Sequence, residues 1–189
     1  MSMIFELRQV DQDVLDGLYS DASDILFFLY GSEPYTPEPS FFSKLFSKNK
    51  TKAVKREWVP PAKDKLLDLE HAWHLLHFLF CKDPEAGKLP QATLLAGGRE
   101  IGNIDVGYGP ARGLSQEEVG SFLNYLNGID RDTFGKDVTT EDLDKNEIYG
   151  HSGEWLPEYL DDVWEYVEDL KKFFFKAKNE NNAVVLYLY

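Results

Sequence analysis

Seven consecutive residues, Ala183-Val184-Val185-Leu186-Tyr187-Leu188-Tyr189, constrain the fold more than any other stretch of this chain. An unbroken run of β-branched, aliphatic and aromatic residues reads as a strand. It is far shorter than the roughly 20 apolar residues of a membrane-spanning helix, and no other apolar run approaches that length. A strand needs a sheet to join. Ile4–Val10 or Ile101–Tyr108 can supply one, the second with Ile104, Val106 and Tyr108 at period two.

The remaining apolar residues fall at helical spacing. Asp11 and Asp13 open a short helix carrying Val14, Leu15 and Leu18. A second runs from about 21 to 30, with Ile25, Leu26, Phe28 and Leu29, and stops at Gly31. Over 64–81, Leu66, Leu69, Trp73, Leu76 and Phe80 share one face, which Leu67, Leu75, Phe78 and Leu79 widen. A helix apolar over most of its surface is expected to be central. Leu94-Leu95-Ala96-Gly97-Gly98 reads as a short strand or turn piece. Ser115 and Glu118 fit a capping box opening a helix to Asn127. Two short helical pieces are expected between Asp130 and Ile148, and a long helix over 156–178, where Pro157 suits the first turn.

With 189 residues, 43% hydrophobic and 14% aromatic, the chain has enough material for one core and is too aromatic for global disorder. The expected class is α+β: a helix-rich single domain over 1–189 with a small mixed sheet that includes the N-terminal and C-terminal strands. Pro34, Pro37 and Pro39, a lysine-rich run, and Pro60-Pro61 mark a Pro/Lys-rich insertion at about 34–63.

Charge is segregated. The net charge is −13, and Ser115–Asp169 alone holds 16 acidic residues against Arg131, Lys136 and Lys145. Such a balance repels phosphate backbones and anionic lipid, so nucleic acid and membrane are poor partners. The basic residues Lys44, Lys48, Lys50, Lys52, Lys55 and Arg56 read as a solvated loop. The long helix places acids early and lysines late, as its dipole favours. Cys81 stands alone, within an apolar stretch, and reads as a buried small hydrophobe. Met1-Ser2-Met3-Ile4-Phe5-Glu6 lacks a basic stretch and a long apolar run, so no secretory signal is expected, and a reducing cytoplasm is the expected compartment.

Few residues point to chemistry. His71, His74 and His77 are spaced by three, which rotates them off a common face, and they lack the i, i+4 arrangement of a zincin. Asp130-x-Asp132-x-x-Gly135-x5-Glu141 imitates a calcium loop, but Phe134 occupies a ligand position and Thr139 and Thr140 offer a helix start inside it. Gly107-Tyr108-Gly109-Pro110-Ala111-Arg112-Gly113-Leu114-Ser115 runs from a strand end to a helix start, where an anion could meet backbone amides and the Arg112 fork. It matches neither phosphate-binding glycine motif. No nucleophile constellation can be assembled.

Three stretches together resemble the YfbM-like family, a bacterial domain of unknown function. They are Met3-Ile4, Ala72-Trp73-His74-x-x-His77-Phe78-Leu79, and Tyr108-Gly109-Pro110-Ala111-Arg112. Tyr149, Trp155 and the final strand agree in order. The resemblance implies a soluble, bacterial α+β domain and no activity. The functional expectation is a non-catalytic binding or interaction protein using its acidic surface. The alternative is a small-anion binding protein or enzyme with a cleft around His77 and Arg112, drawing also on His74, Tyr108 and Trp155. A protein partner or a small anionic ligand is expected, and no cofactor or metal.

Overall fold

The computed structural model describes residues 2–32 and 57–189. The expectations for Pro34 to Pro39 and for Lys44 to Arg56 lie outside the described residues. The apolar run becomes β5 (Asn182–Leu188), the middle strand of a five-stranded sheet. β1 (Phe5–Asp11) and β4 (Pro110–Leu114) flank it. β2 (Leu66–Asp68) completes one edge and β3 (Arg99–Asp105) the other, in the order β2-β1-β5-β4-β3. The α+β class holds, with strands from both ends of the chain in the sheet. Every pairing among the described residues is antiparallel, where a mixed sheet was expected. The β3–β4 hairpin explains one junction, since a tight turn can only yield antiparallel neighbours.

The unbroken apolar character of β5 follows from burial on both faces. Val184 and Leu186 enter a core with Leu7, Phe122 and Phe174. Ala183, Val185 and Tyr187 enter a second core with Leu15, Leu18, Ile25 and Leu29. The latter residues come from α1 (Gln12–Ser20) and α2 (Ile25–Tyr30). Gly31, left-handed at φ 69°, ends α2 as expected. Gly113 lets α1 approach the sheet, because a Cβ there would collide with the Leu15 side chain.

The first core is covered by α3 (Ala72–Cys81), α5 (Gln116–Asn127) and α7 (Tyr159–Asn179). Trp73, Leu76 and Phe80 of α3 share it with Val163, Trp164 and Val167 of α7. Phe122 stands edge-on to Phe174 at 5.0 Å. Burying each such side chain contributes about 2–3 kcal/mol. The Ser115–Glu118 capping box is present.

Several expected elements take other forms: between Asp130 and Ile148 one helix forms, Thr140–Lys145, with turns before it, and the strand expected over Ile101–Tyr108 is β3, which pairs with β4 and not with β5. The helix expected over 64–81 begins only at Ala72. Leu66, Leu67 and Leu69 suit either a helix or a strand, and the open edge of β1 decides: Leu67 pairs with Leu7, and Leu69 N–H donates to Phe5 O at 2.9 Å. Glu70, at φ 47°, turns the chain into α3. The stretch around Leu94 is a helical turn, α4 (Thr93–Ala96). The supposed glycine-rich cradle from Gly107 to Ser115 is a hairpin tip followed by β4, so Arg112 lies within a strand. Among the described residues, no helix is long and apolar enough to cross a membrane.

Candidate functional site

The sequence-derived site residues divide between two surroundings. His77 on α3 has no exposed surface. Its Nδ1 is 4.0 Å from Cys81 Sγ, and its Nε2 meets no hydrogen-bond geometry among the described residues, although the Ala86 backbone is near enough to offset part of the effect of burial. Burial, the main cause, pushes its pKa below the ordinary histidine value, so the ring is held neutral. Arg112 pairs in register with Leu186 and so faces the same core as that residue. Its guanidinium donates to Leu94 O and Gly97 O, closing the carbonyl end of α4. Burial lowers its pKa to about 10, which leaves it charged at neutral pH. His74 accepts from Tyr149 N–H at Nδ1 (2.8 Å), and its Nε2 reaches Pro84 O at 2.9 Å. Those partners assign the proton to Nε2. All three side chains thus hold neighbouring segments of backbone or sit sealed beside them.

Tyr108 is 42% exposed at the hairpin tip, where its backbone N–H donates to Leu188 O. Gly107 and Gly109 N–H groups both donate to Asp105 Oδ1 in that tip, which lowers the Asp105 pKa. The amides expected to receive an anion are therefore occupied by a carboxylate of the chain itself.

Trp155 is different. It is half-buried on the loop between α6 (Thr140–Lys145) and α7, and it forms a wall of two cavities. Neither cavity has His74, His77, Tyr108 or Arg112 in its wall. The larger is a cleft of about 620 Å³. Its aromatic lining is Phe134, Trp155 and Trp164. Its charged lining is Arg131, Lys136, Asp132 and Asp161. The smaller cavity, about 310 Å³, includes His71, Tyr149, His151, Glu154 and Tyr159 with Trp155.

Local chemistry explains why the cleft forms. Asp130 accepts from Asp132 N–H through its side chain and from Phe134 N–H through its carbonyl, winding 130–137 into turns. Gly135, at φ 70°, lies where a Cβ would meet Leu160 Cδ2 at 2.6 Å. Thr139 and Asp142 form a second capping box, which lowers the Asp142 pKa and starts α6. This is the helix start that interrupts the supposed calcium loop. Trp155 N–H donates to Thr140 Oγ1 at 2.9 Å, fixing the tryptophan over α6. Phe134 stands edge-on to Trp164 at 5.6 Å. Arg131 pairs with Asp161 at 2.9 Å, and its Cζ lies 5.9 Å from the Trp164 ring centre. Lys171 Nζ lies 4.4 Å from the same ring.

Sequence reasoning named Trp155 but missed Phe134, Trp164, Tyr149, His151, Glu154 and Tyr159 as a group. A signal existed. Phe134 is a large apolar residue in a polar run, and such a residue must find a partner surface distant in sequence.

Comparison with known proteins agrees with the architecture and adds no activity. No match is found among curated proteins. A solved structure described as a protein of unknown function, YfbM from Escherichia coli, superposes with a TM-score of 0.65 at 15% identity. The match covers 98% of this chain and 99% of that one, and at such identity it speaks for the fold alone. The family model "Domain of unknown function (DUF1877)" matches residues 1–187. The chain belongs to this DUF1877 family, of which the resemblance to YfbM-like proteins in its histidine-bearing helix and its Tyr108–Arg112 stretch was the first sign.

Proposed function

We propose that the chain is a non-catalytic binding protein whose acid-rich segment receives a basic stretch of a partner protein, anchored by an apolar or aromatic side chain in the larger cleft. One observation carries this reading: a cleft of about 620 Å³ floored by Phe134, Trp155 and Trp164 opens within the segment that holds the chain's whole net charge. Buried aromatic pockets at the centre of an interface supply most binding energy. A surrounding field of one sign speeds encounter and selects partners of the opposite sign. The four charged side chains lining the cleft cancel, which suits an uncharged anchor within an acidic surround.

The alternative, a small-anion site or an enzyme centred on His77 and Arg112, draws less support. Arg112 already donates to two backbone carbonyls, and His77 has no exposed surface to offer a substrate. The single Cys81, whose thiol burial pushes up to about 11, fits a reducing compartment such as the cytoplasm.

Calorimetry with the peptide Lys-Lys-Phe-Lys-Lys tests the reading. Binding is expected at low salt, weakened by high salt, and abolished by Leu160→Trp, which fills the cleft. Absence of binding at low salt, or binding indifferent to Leu160→Trp, rejects it.

A further inference from the structure

We propose that the smaller cavity behind Trp155 is a cation subsite that takes the side chain of a lysine or arginine from the same partner segment. The inference deepens the binding function above and rests on it for the identity of the ligand. The two cavities share Trp155 as a wall but differ in charge. The larger is lined by two basic and two acidic side chains. In the smaller, among the described residues, Glu154 is the one carboxylate and neither lysine nor arginine takes part.

The rings complete the case. Tyr149, Trp155 and Tyr159 all line the smaller cavity. Trp155 and Tyr159 meet at 60° with centroids 5.9 Å apart. His151 meets Trp155 at 70°, and His71 meets Tyr149 at 73°. Tyr149 stacks on Trp73 at 26° with centroids 5.8 Å apart, which covers one of its faces, so the ring faces offered to an occupant are chiefly those of Trp155 and Tyr159, set at a high angle to each other. Aromatic faces with one carboxylate are a recognised environment for an ammonium or guanidinium group. By contrast, the Trp164 ring in the larger cleft is already approached by Lys171 and Arg131 of the chain itself. A cation from outside would meet like charge there.

The polar groups of the smaller cavity are tethered in ways that keep it in shape. The two ring nitrogens of His71 contact Ser2 Oγ and Met3 O, each at 3.1 Å. Tyr149 OH accepts from Met3 N–H at 2.8 Å. His151 Nε2 lies 3.5 Å from Asp144 Oδ1, an ion-pair distance without hydrogen-bond geometry. A partner chain crossing Trp155 would thus place an uncharged anchor on one side and a basic residue on the other.

The test is an NMR titration with Nα-acetyl-lysine methylamide and, separately, its uncharged analogue Nα-acetyl-norleucine methylamide. The lysine compound is expected to shift the Trp155 indole N–H and the His151 ring signals and to leave Trp164 unmoved. The norleucine compound is expected to shift none of them. Glu154→Gln, an exposed substitution, should weaken lysine binding about twofold to fivefold. Equal responses to both compounds, a response centred on Trp164, no response at all, or no effect of Glu154→Gln overturns the subsite. Should the lysine compound behave as expected while Lys-Lys-Phe-Lys-Lys fails to bind, the subsite stands and the partner reading falls. Peptide binding without a lysine response separates the two in the opposite sense.

Discussion

The region around His77 and Arg112 and the region around Trp155 both combine polar and aromatic side chains, yet they are built for different ends. In the first, the polar atoms turn inward to the chain's own backbone: Arg112 to Leu94 O and Gly97 O, His74 to Tyr149 N–H and Pro84 O. In the second, His71 and Tyr149 also hold the Met3 backbone, but Trp155, Tyr159 and Glu154 turn surface toward open cavities. A polar residue whose hydrogen bonds are met by backbone is a brace, because occupying it with a ligand would strand buried carbonyls or amides. A residue whose surface is left over is available for binding. The residue types alone do not distinguish the cases.

Substitutions can break this contrast if it is wrong. Arg112→Ala should have the largest effect, a loss of about 3 kcal/mol, since two buried carbonyls lose a charged donor. Arg112→Lys should recover only part of it, because an ammonium cannot reproduce the fork. Urea unfolding measures both, and an Arg112→Ala protein of unchanged stability would mean that Arg112 is free for another role.

Trp155→Ala should lower affinity for Lys-Lys-Phe-Lys-Lys at least about tenfold, about 1.4 kcal/mol, while costing the half-buried site little stability. Unfolding of the variant, or unchanged affinity, would move Trp155 into the bracing class.

His77→Leu should leave stability at neutral pH within about 1 kcal/mol, because an apolar side chain removes a buried ring nitrogen that meets no hydrogen-bond geometry. Its pH dependence is more telling. The folded state holds the His77 pKa below its ordinary value of 6.5. As pH falls below 6.5 the unfolded chain binds a proton first, so the wild-type protein loses stability on acidification. The substitution should remove that part of the slope. A slope identical in both proteins would show that His77 takes up its proton as readily in the fold as in the unfolded chain.

The smallest effect is expected from Asp144→Asn. The Asp144 side chain is 66% exposed, so its pairing with His151 should contribute less than about 1 kcal/mol. Its readout is a shift of the His151 ring signals, with little change in unfolding midpoint.

Legibility followed the range of the interaction. Ser115 with Glu118 announces a helix start because both partners of the cap lie within four residues. Val163, Val167, Leu170 and Phe174 announce the buried face of α7 because the helical period is local. The candidate site was legible in one residue, Trp155. Its other walls are contributed from Phe134, Leu160 and Trp164 on one side and from His71 and Tyr149 on the other. Nothing in the spacing of those residues records that they meet.

The amino-acid sequence by itself determined the α+β class, the final strand to within a residue at each end, the capped helices and the segregation of acid into one segment. These depend on side-chain period, short-range capping and charge count. Only the tertiary structure decided that Leu66–Asp68 is a strand, that Arg112 braces α4, and which aromatic rings line a cavity. Those outcomes depend on which backbone edge or ring arrives from far along the chain. Competition between local helix formation and a vacant sheet edge is settled when the edge is present.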